Sequence, residues 1–150
     1  MDGQMKLDPD FKEFIQLLNG NNVRYLVVGG YAVAIYGHPR YTKDLDIWLW
    51  IDSRNAHQVV KTLEQFGFGS LELSAEDFAD PNQVIQLGYP PNRIDLLTSV
   101  SGIDFDECYP QRCPIEVDDV MVDFIDLENL KKNKRSSGRM QDLADLENLK

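Results

Sequence analysis

The sequence predicts an α+β fold, a mixed α/β sheet with flanking helices, and three observations carry that expectation. Short runs rich in β-branched and aromatic residues alternate with helically spaced apolar residues. Turn-forming glycine, proline, asparagine or aspartate separates most of them. At 150 residues and 43% hydrophobic composition, the chain is long enough to bury a core without disulfide staples. We expect one domain over residues 1–150.

The elements follow in order. Residues 8–19 place Phe11, Phe14, Ile15 and Leu18 on one helical face, and Gly20-Asn21-Asn22 ends that helix. VRYLVV, residues 23–28, reads as a strand broken by Gly29-Gly30, and YAVAIYG as a short helix closed by Gly37. HPRYTK is a polar connection to LDIWLWI, residues 45–51, the strongest strand in the chain. Asp52-Ser53 caps a helix over about residues 54–66, ending near Gly67 and Gly69. Residues 70–82 are ambiguous and have room for a strand and a short helix. VIQLGY (84–89) and RIDLLT (93–98) form a hairpin around Pro90-Pro91-Asn92, and PIEV and VMVDFI form another around Asp118-Asp119. LENLKKNK and RMQDLADLENLK close the chain as two helices around Ser136-Ser137-Gly138. The two helices share a motif without making a repeat array.

Charge and composition narrow the function. The formal net charge of −10 repels phosphate backbones at long range and argues against a nonspecific nucleic-acid binder. Lys131, Lys132, Lys134, Arg135 and Arg139 nevertheless form a local basic patch able to meet a phosphate. Cys108 and Cys113 are too few for a disulfide framework and have no zinc-ligand company. The N-terminal MDGQMKLDPDF lacks a basic stretch followed by an apolar one, and no apolar run approaches the roughly 20 residues of a membrane span. The expectation is a soluble, cytoplasmic protein with no membrane partner.

The chemistry concentrates in two places. Asp44 and Asp46 lie two apart at the start of a strand, so alternation points both carboxylates one way and sends Leu45 and Ile47 the other. Adjacent like charges cost energy. A divalent cation removes the conflict, and magnesium is commonly held by one or two carboxylates with substrate phosphates. Asp95, alone in the apolar run Ile94-Asp95-Leu96-Leu97, is the best third carboxylate for a two-metal site. Gly29-Gly30 supplies a strand-to-helix turn with free N–H groups and room for a phosphate. Arg40 and Thr42, just ahead of the aspartates, are placed to touch phosphate as well.

The run LVVGGYAVAIYGHPRYTKDLDIWL resembles the signature of the nucleotidyltransferase superfamily that includes DNA polymerase β. That signature is a strand, Gly-Gly or Gly-Ser, a helix, Asp-x-Asp, and a third acidic residue on a later strand. Here 13 residues, 31–43, separate Gly30 from Asp44. The likeness is strongest over residues 23–51 and runs closest to the minimal AbiEii-type bacterial nucleotidyltransferases, often found in toxin–antitoxin pairs. It implies a nucleotidyltransferase fold and magnesium on Asp44, Asp46 and Asp95 as the catalytic set. Gly29, Gly30, Arg40 and Thr42 would touch an NTP. The tail NKRSSGRMQDLADLENL resembles the family's C-terminal helices, which makes Lys134 the nucleotide-contacting lysine. Transfer of an NMP to an acceptor hydroxyl follows, with Asp95 also as general base. The acceptor is open: a tRNA end, a protein hydroxyl or a small molecule such as an antibiotic.

Competing readings are specific. The chain can instead be a non-catalytic module that keeps the fold and the nucleotide but acts through a protein partner, with its acidic surface suited to a basic one. Asp104 and Asp106, flanking Phe105, read as a solvated loop. His38 and His57 read as surface residues, and Lys43 and Arg93, which flank carboxylates, either as simple ion-pair partners or as catalytic groups. Trp48 and Trp50 read as packing residues of the sheet.

Overall fold

The computed structural model describes residues 6–37, 44–89 and 92–149. In chain order the elements are α1 (Pro9–Gly20), β1 (Tyr25–Val28), α2 (Gly29–Tyr36), β2 (Leu45–Leu49), α3 (Ser53–Phe66), β3 (Val84–Leu87) and β4 (Ile94–Leu97). They continue with α4 (Phe105–Cys108), β5 (Cys113–Val117), β6 (Val120–Phe124), α5 (Leu127–Ser137) and α6 (Met140–Asn148). The six strands form one mixed sheet in the order β3-β4-β2-β1-β6-β5. β1 pairs antiparallel with β2 and parallel with β6, and β2 pairs parallel with β4. The mixed sheet with flanking helices is the expected architecture.

Local chemistry explains the boundaries. Asp8 caps α1 by accepting from Asp10 N at 2.9 Å, and Pro9 occupies the first turn, where its missing N–H costs nothing. Phe11, Phe14, Ile15 and Leu18 are buried as their spacing requires. Asp52 caps α3 through Arg54 N and Asn55 N, and Gly67 closes it at φ 102°. Asp118 and Asp119 both sit at positive φ, the two-residue turn that matches strand twist between β5 and β6.

Three expectations need correction. β2 ends at Leu49 rather than residue 51, where the Asn55 side chain from α3 bonds the backbone at the ends of β1 and β2. Its side chain accepts from Arg24 N and donates to Arg24 O and Trp50 O. Residues 70–82 hold no strand but two single-turn 3₁₀ segments, Gly69–Leu71 and Ala75–Phe78, the second closed by a Ser74–Asp77 capping box and pinned by buried Phe78. Asp104 and Asp106 do not lie in a plain loop. Asp104 precedes α4, and Asp106 accepts from Trp50 Nε1 at 3.0 Å.

The core runs along both faces of the central strands. All four residues of β1 are buried, with Leu45, Ile47, Trp48 and Leu49 of β2 beside them. Trp48 meets Phe105 edge-on at 5.2 Å, the packing role expected of it. α1 packs against α3, and α2 against α5. Cys108 and Cys113 are free thiols, Cys108 buried. Among the described residues no helix is long and apolar enough to cross a membrane.

Candidate active site

Two strand ends and one helix start build the site. Asp46 is opposite Val28 in the β1–β2 ladder and opposite Asp95 in the β2–β4 ladder. Parallel pairing of β2 with β4 thus brings together two carboxylates that are 49 residues apart in sequence. Asp44 stands just before β2, on the same side by alternation. Gly29, directly after β1, begins α2 at φ 68°. A Cβ there would lie 2.1 Å from Asp46 Oδ2, so only glycine lets the turn pass the carboxylate. No side chain caps α2, and the N–H groups of its first turn open beside Asp46.

The cluster is electrostatically tense. Burial, then the charges of Asp95 and Asp44, push Asp46 up to about 7, with Lys134 pulling the other way. Arg93 relieves part of the repulsion. Its Nε donates to Asp95 Oδ1 at 2.9 Å, and its Nη2 donates to Asp95 Oδ2 at 3.2 Å and to Asp44 Oδ2 at 3.0 Å. Asp44 Oδ1 is buried with no hydrogen-bond partner among the described residues. That orphaned oxygen, next to the tense Asp46 carboxyl, suits an oxygen-seeking cation. Among the described residues, however, no three His, Cys, Asp or Glu side chains converge as a ready-made metal cage, and Arg93 stands between Asp44 and Asp95.

Lys134 lies at the site's flank, near enough to bear on Asp46, but its ammonium is engaged. Nζ donates to Asp142 Oδ1 at 2.8 Å and lies 3.3 Å from Asp145 Oδ2, and all three residues are buried. Asp142 also accepts from Arg139 and Ser137. Burial pushes Asp142 up, but the bonds from Arg139, Lys134 and Ser137 outweigh it and hold its carboxyl down at about 2. The expected basic patch is thus largely paired internally, with Lys131 on Glu128 as well. Arg40 and Thr42, like Lys43 and His38, lie outside the described residues. Gly30 is half-buried in the first turn of α2.

Sequence reasoning left Arg93 between a simple ion pair and a catalytic role, and missed Asp142 and Asp145. The signals were present: Arg93 and Asp95 share the two-residue strand period, and Asp142 and Asp145 share a helix face. A cleft of about 980 Å³ lies at the far end of β1 and β2, lined by Arg24, Trp50, Asp52 and His57 among others. It is remote from the carboxylates, because Tyr25 pairs with Leu49 there while Val28 pairs with Asp46 at the near end.

Residues 10–87, which hold Gly29, Gly30, Asp44 and Asp46, match the family model of the aminoglycoside-2''-adenylyltransferases. The chain belongs to this family. It is thereby a nucleotidyltransferase, and solved structures agree on the fold of this adenylyltransferase-family chain. A protein of Thermotoga maritima described as a nucleotidyltransferase superposes with a TM-score of 0.63 at 14% identity, covering 96% of this chain and 94% of its own. An antigenic nucleotidyltransferase-like protein from Paracoccidioides brasiliensis gives 0.55 at 16% identity, covering 97% and 76%. A lincosamide antibiotic adenylyltransferase bound to lincomycin gives 0.54 at 15% identity, covering 96% of each chain. No curated protein sequence matches significantly.

Proposed function

We propose that residues 1–150 act as one magnesium-dependent domain that transfers an NMP from an NTP to a hydroxyl of a small, cationic acceptor. The observation that carries this reading is the convergence of Asp46, Asp95 and the Gly29 turn, inside a chain whose family is an adenylyltransferase one.

The residues divide the task. Uncapped N–H groups at Gly29 and Gly30 receive phosphate oxygens, as helix N-termini do. Asp44 and Asp46 supply the oxygen donors for magnesium, which when bound neutralises charge on the phosphates. Asp95, beside Asp46 and gripped by Arg93, completes the carboxylate set. Arg40 and Thr42 keep the triphosphate role that the sequence resemblance gives them. Lys134 contributes positive potential from under α6 and would touch nucleotide only by loosening from Asp142 and Asp145. The acceptor oxygen forms a bond to the α-phosphorus as the bond to pyrophosphate breaks, and the acceptor proton leaves to a base. Both oxygens of Asp95 accept from the Arg93 guanidinium. Arg93 must therefore release Asp95 if Asp95 is to take that proton.

The net charge favours the acceptor class. At −10 the protein attracts polycations and repels nucleic acid. Aminoglycosides are polycationic, and the family model and the lincosamide-adenylylating neighbour make amino-sugar antibiotics the first acceptors to try. Pyrophosphate release should be assayed with each of the four NTPs against such a panel. Release that depends on acceptor and is lost in Asp46→Asn supports the reading. Turnover retained by Asp46→Asn refutes the site.

A second reading is favoured by one observation. Met140 and Leu143 of α6 are 88% and 50% exposed, a bare apolar pair on the C-terminal helix. A cytoplasmic protein partner covering it would suit the AbiEii-like, toxin–antitoxin context. A tight partner co-purifying with a chain that turns over no NTP would favour that reading. A monomer with turnover would refute it.

A further inference from the structure

The carboxylate cluster already contains a cation that belongs to the protein. Arg93 follows the β3–β4 turn and lies two residues before Asp95, so alternation directs both side chains to one side of the sheet. Its guanidinium grips Asp95 in the two-pronged arrangement that only arginine makes, at 2.9 and 3.2 Å. The same Nη2 reaches Asp44 Oδ2 at 3.0 Å. Both oxygens of Asp95 and one of Asp44 therefore accept from Arg93. The other, Asp44 Oδ1, is the orphan among the described residues, and no hydrogen bond runs from Arg93 to Asp46.

We propose that Arg93 fills the place of a second metal ion, so that the nucleotide-loaded site takes a single divalent cation on Asp44 and Asp46 while Asp95 stays neutralised by the guanidinium. The proposal rests on the site assignment made above and sharpens it. A two-metal site uses its third carboxylate as a donor for one of the ions, and here that carboxylate is fully engaged. Arginine cannot be removed by deprotonation; a second ion could enter only by swinging the guanidinium out. The Arg93 and Asp95 side chains are 26% and 11% exposed, so that swing would strip a largely desolvated carboxylate of both bonds. Arg93 is accordingly a positioning residue. It fixes Asp95 and Asp44 before any ion arrives and leaves the Asp44 orphan oxygen and the Asp46 carboxyl as the open donors.

Counting ions separates this role from an ordinary structural ion pair. Manganese bound per chain is measured by equilibrium dialysis at saturating concentration of an ATP analogue whose α,β-bridging oxygen is replaced by methylene. Wild type is expected to hold one ion, Arg93→Gln two and Arg93→Lys one. Arg93→Gln should also lower the melting temperature of the metal-free protein more than that of the manganese-loaded one. Two ions in wild type overturn the proposal while leaving the site assignment standing. No ion in wild type overturns both. One ion in a folded Arg93→Gln reduces Arg93 to a structural pair and overturns the proposal. Should Arg93→Gln not fold, the wild-type count together with Arg93→Lys still decides it, since two ions in either contradicts the proposal.

Discussion

A methyl group at Gly29 would lie 2.1 Å from Asp46 Oδ2 and 2.9 Å from its Cγ, closer than van der Waals contact permits. The backbone there has φ 68°, so alanine is strained twice over. Gly29→Ala should destabilise the fold by about 1–3 kcal/mol in urea unfolding and abolish nucleotide-dependent calorimetric binding, because Asp46 must move. Asp46 itself carries a stability cost. Its carboxyl is raised from 3.8 to about 7, so the native state holds a proton that the unfolded chain releases. The cost is absent below pH about 4, grows as pH rises from there, and is complete above about 7. Metal-free Asp46→Asn should therefore melt about 5 °C above wild type at pH 8, corresponding to roughly 2 kcal/mol, with little difference at about pH 4. Equal melting at both values would contradict the buried, repelled carboxylate. At this scale the sequence was informative where chemistry is local. Asp44 and Asp46 share a two-residue period, and a glycine pair after a strand implies a turn. Arg93 was less legible, because its bond to Asp44 spans 49 residues and depends on β2 pairing with β4.

The helices and strands were legible where a cap or a period marks them, as at Asp52, Gly138 and the α1 apolar face. They were obscure where a side chain replaces backbone pairing. Asn55 ends the β1–β2 ladder from α3, and no periodicity encodes that. Residues 70–82 carry one deep anchor, Phe78, too little pattern to specify a strand or a longer helix. The C-terminal pair was read correctly as two helices around Gly138, but their contact is electrostatic as well as apolar. Lys134 on α5 is clasped by Asp142 and Asp145 on α6, and Gly102 lets the loop after β4 approach Ser136 closely enough that a Cβ would lie 2.4 Å from that residue's Cβ. Removing one member of a buried ion pair strands the others. Lys134→Met should cost about 3 kcal/mol and speed hydrogen exchange across residues 140–149. Unchanged exchange there would mean that α6 is held by packing through residues such as Leu149 instead.

Across the whole molecule, a sheet ordered β3-β4-β2-β1-β6-β5 gathers the Gly-Gly turn and the acidic strand ends at one edge of the central strands. The order of strands along the sheet is not written in any local pattern. It emerges from which faces must be covered, and the sequence reading reached a mixed sheet without an order of strands. The net charge of −10 acts at the same scale. If a polycationic acceptor is used, kcat/KM for it should fall severalfold between about 0.05 and 0.3 M salt while nucleotide KM changes less, because screening shortens the reach of the field. The central claim is that nucleotide and magnesium bind together on Asp44 and Asp46. It is tested most directly by the melting temperature with each of the four NTPs, with and without magnesium, in wild type and Asp46→Asn. A ligand specific to the folded state at a hundredfold excess over Kd stabilises by about 2.7 kcal/mol. The account predicts a shift of that order in wild type only when magnesium and one NTP are both present, and none in Asp46→Asn. A shift that persists in Asp46→Asn, or none with any NTP, would contradict it.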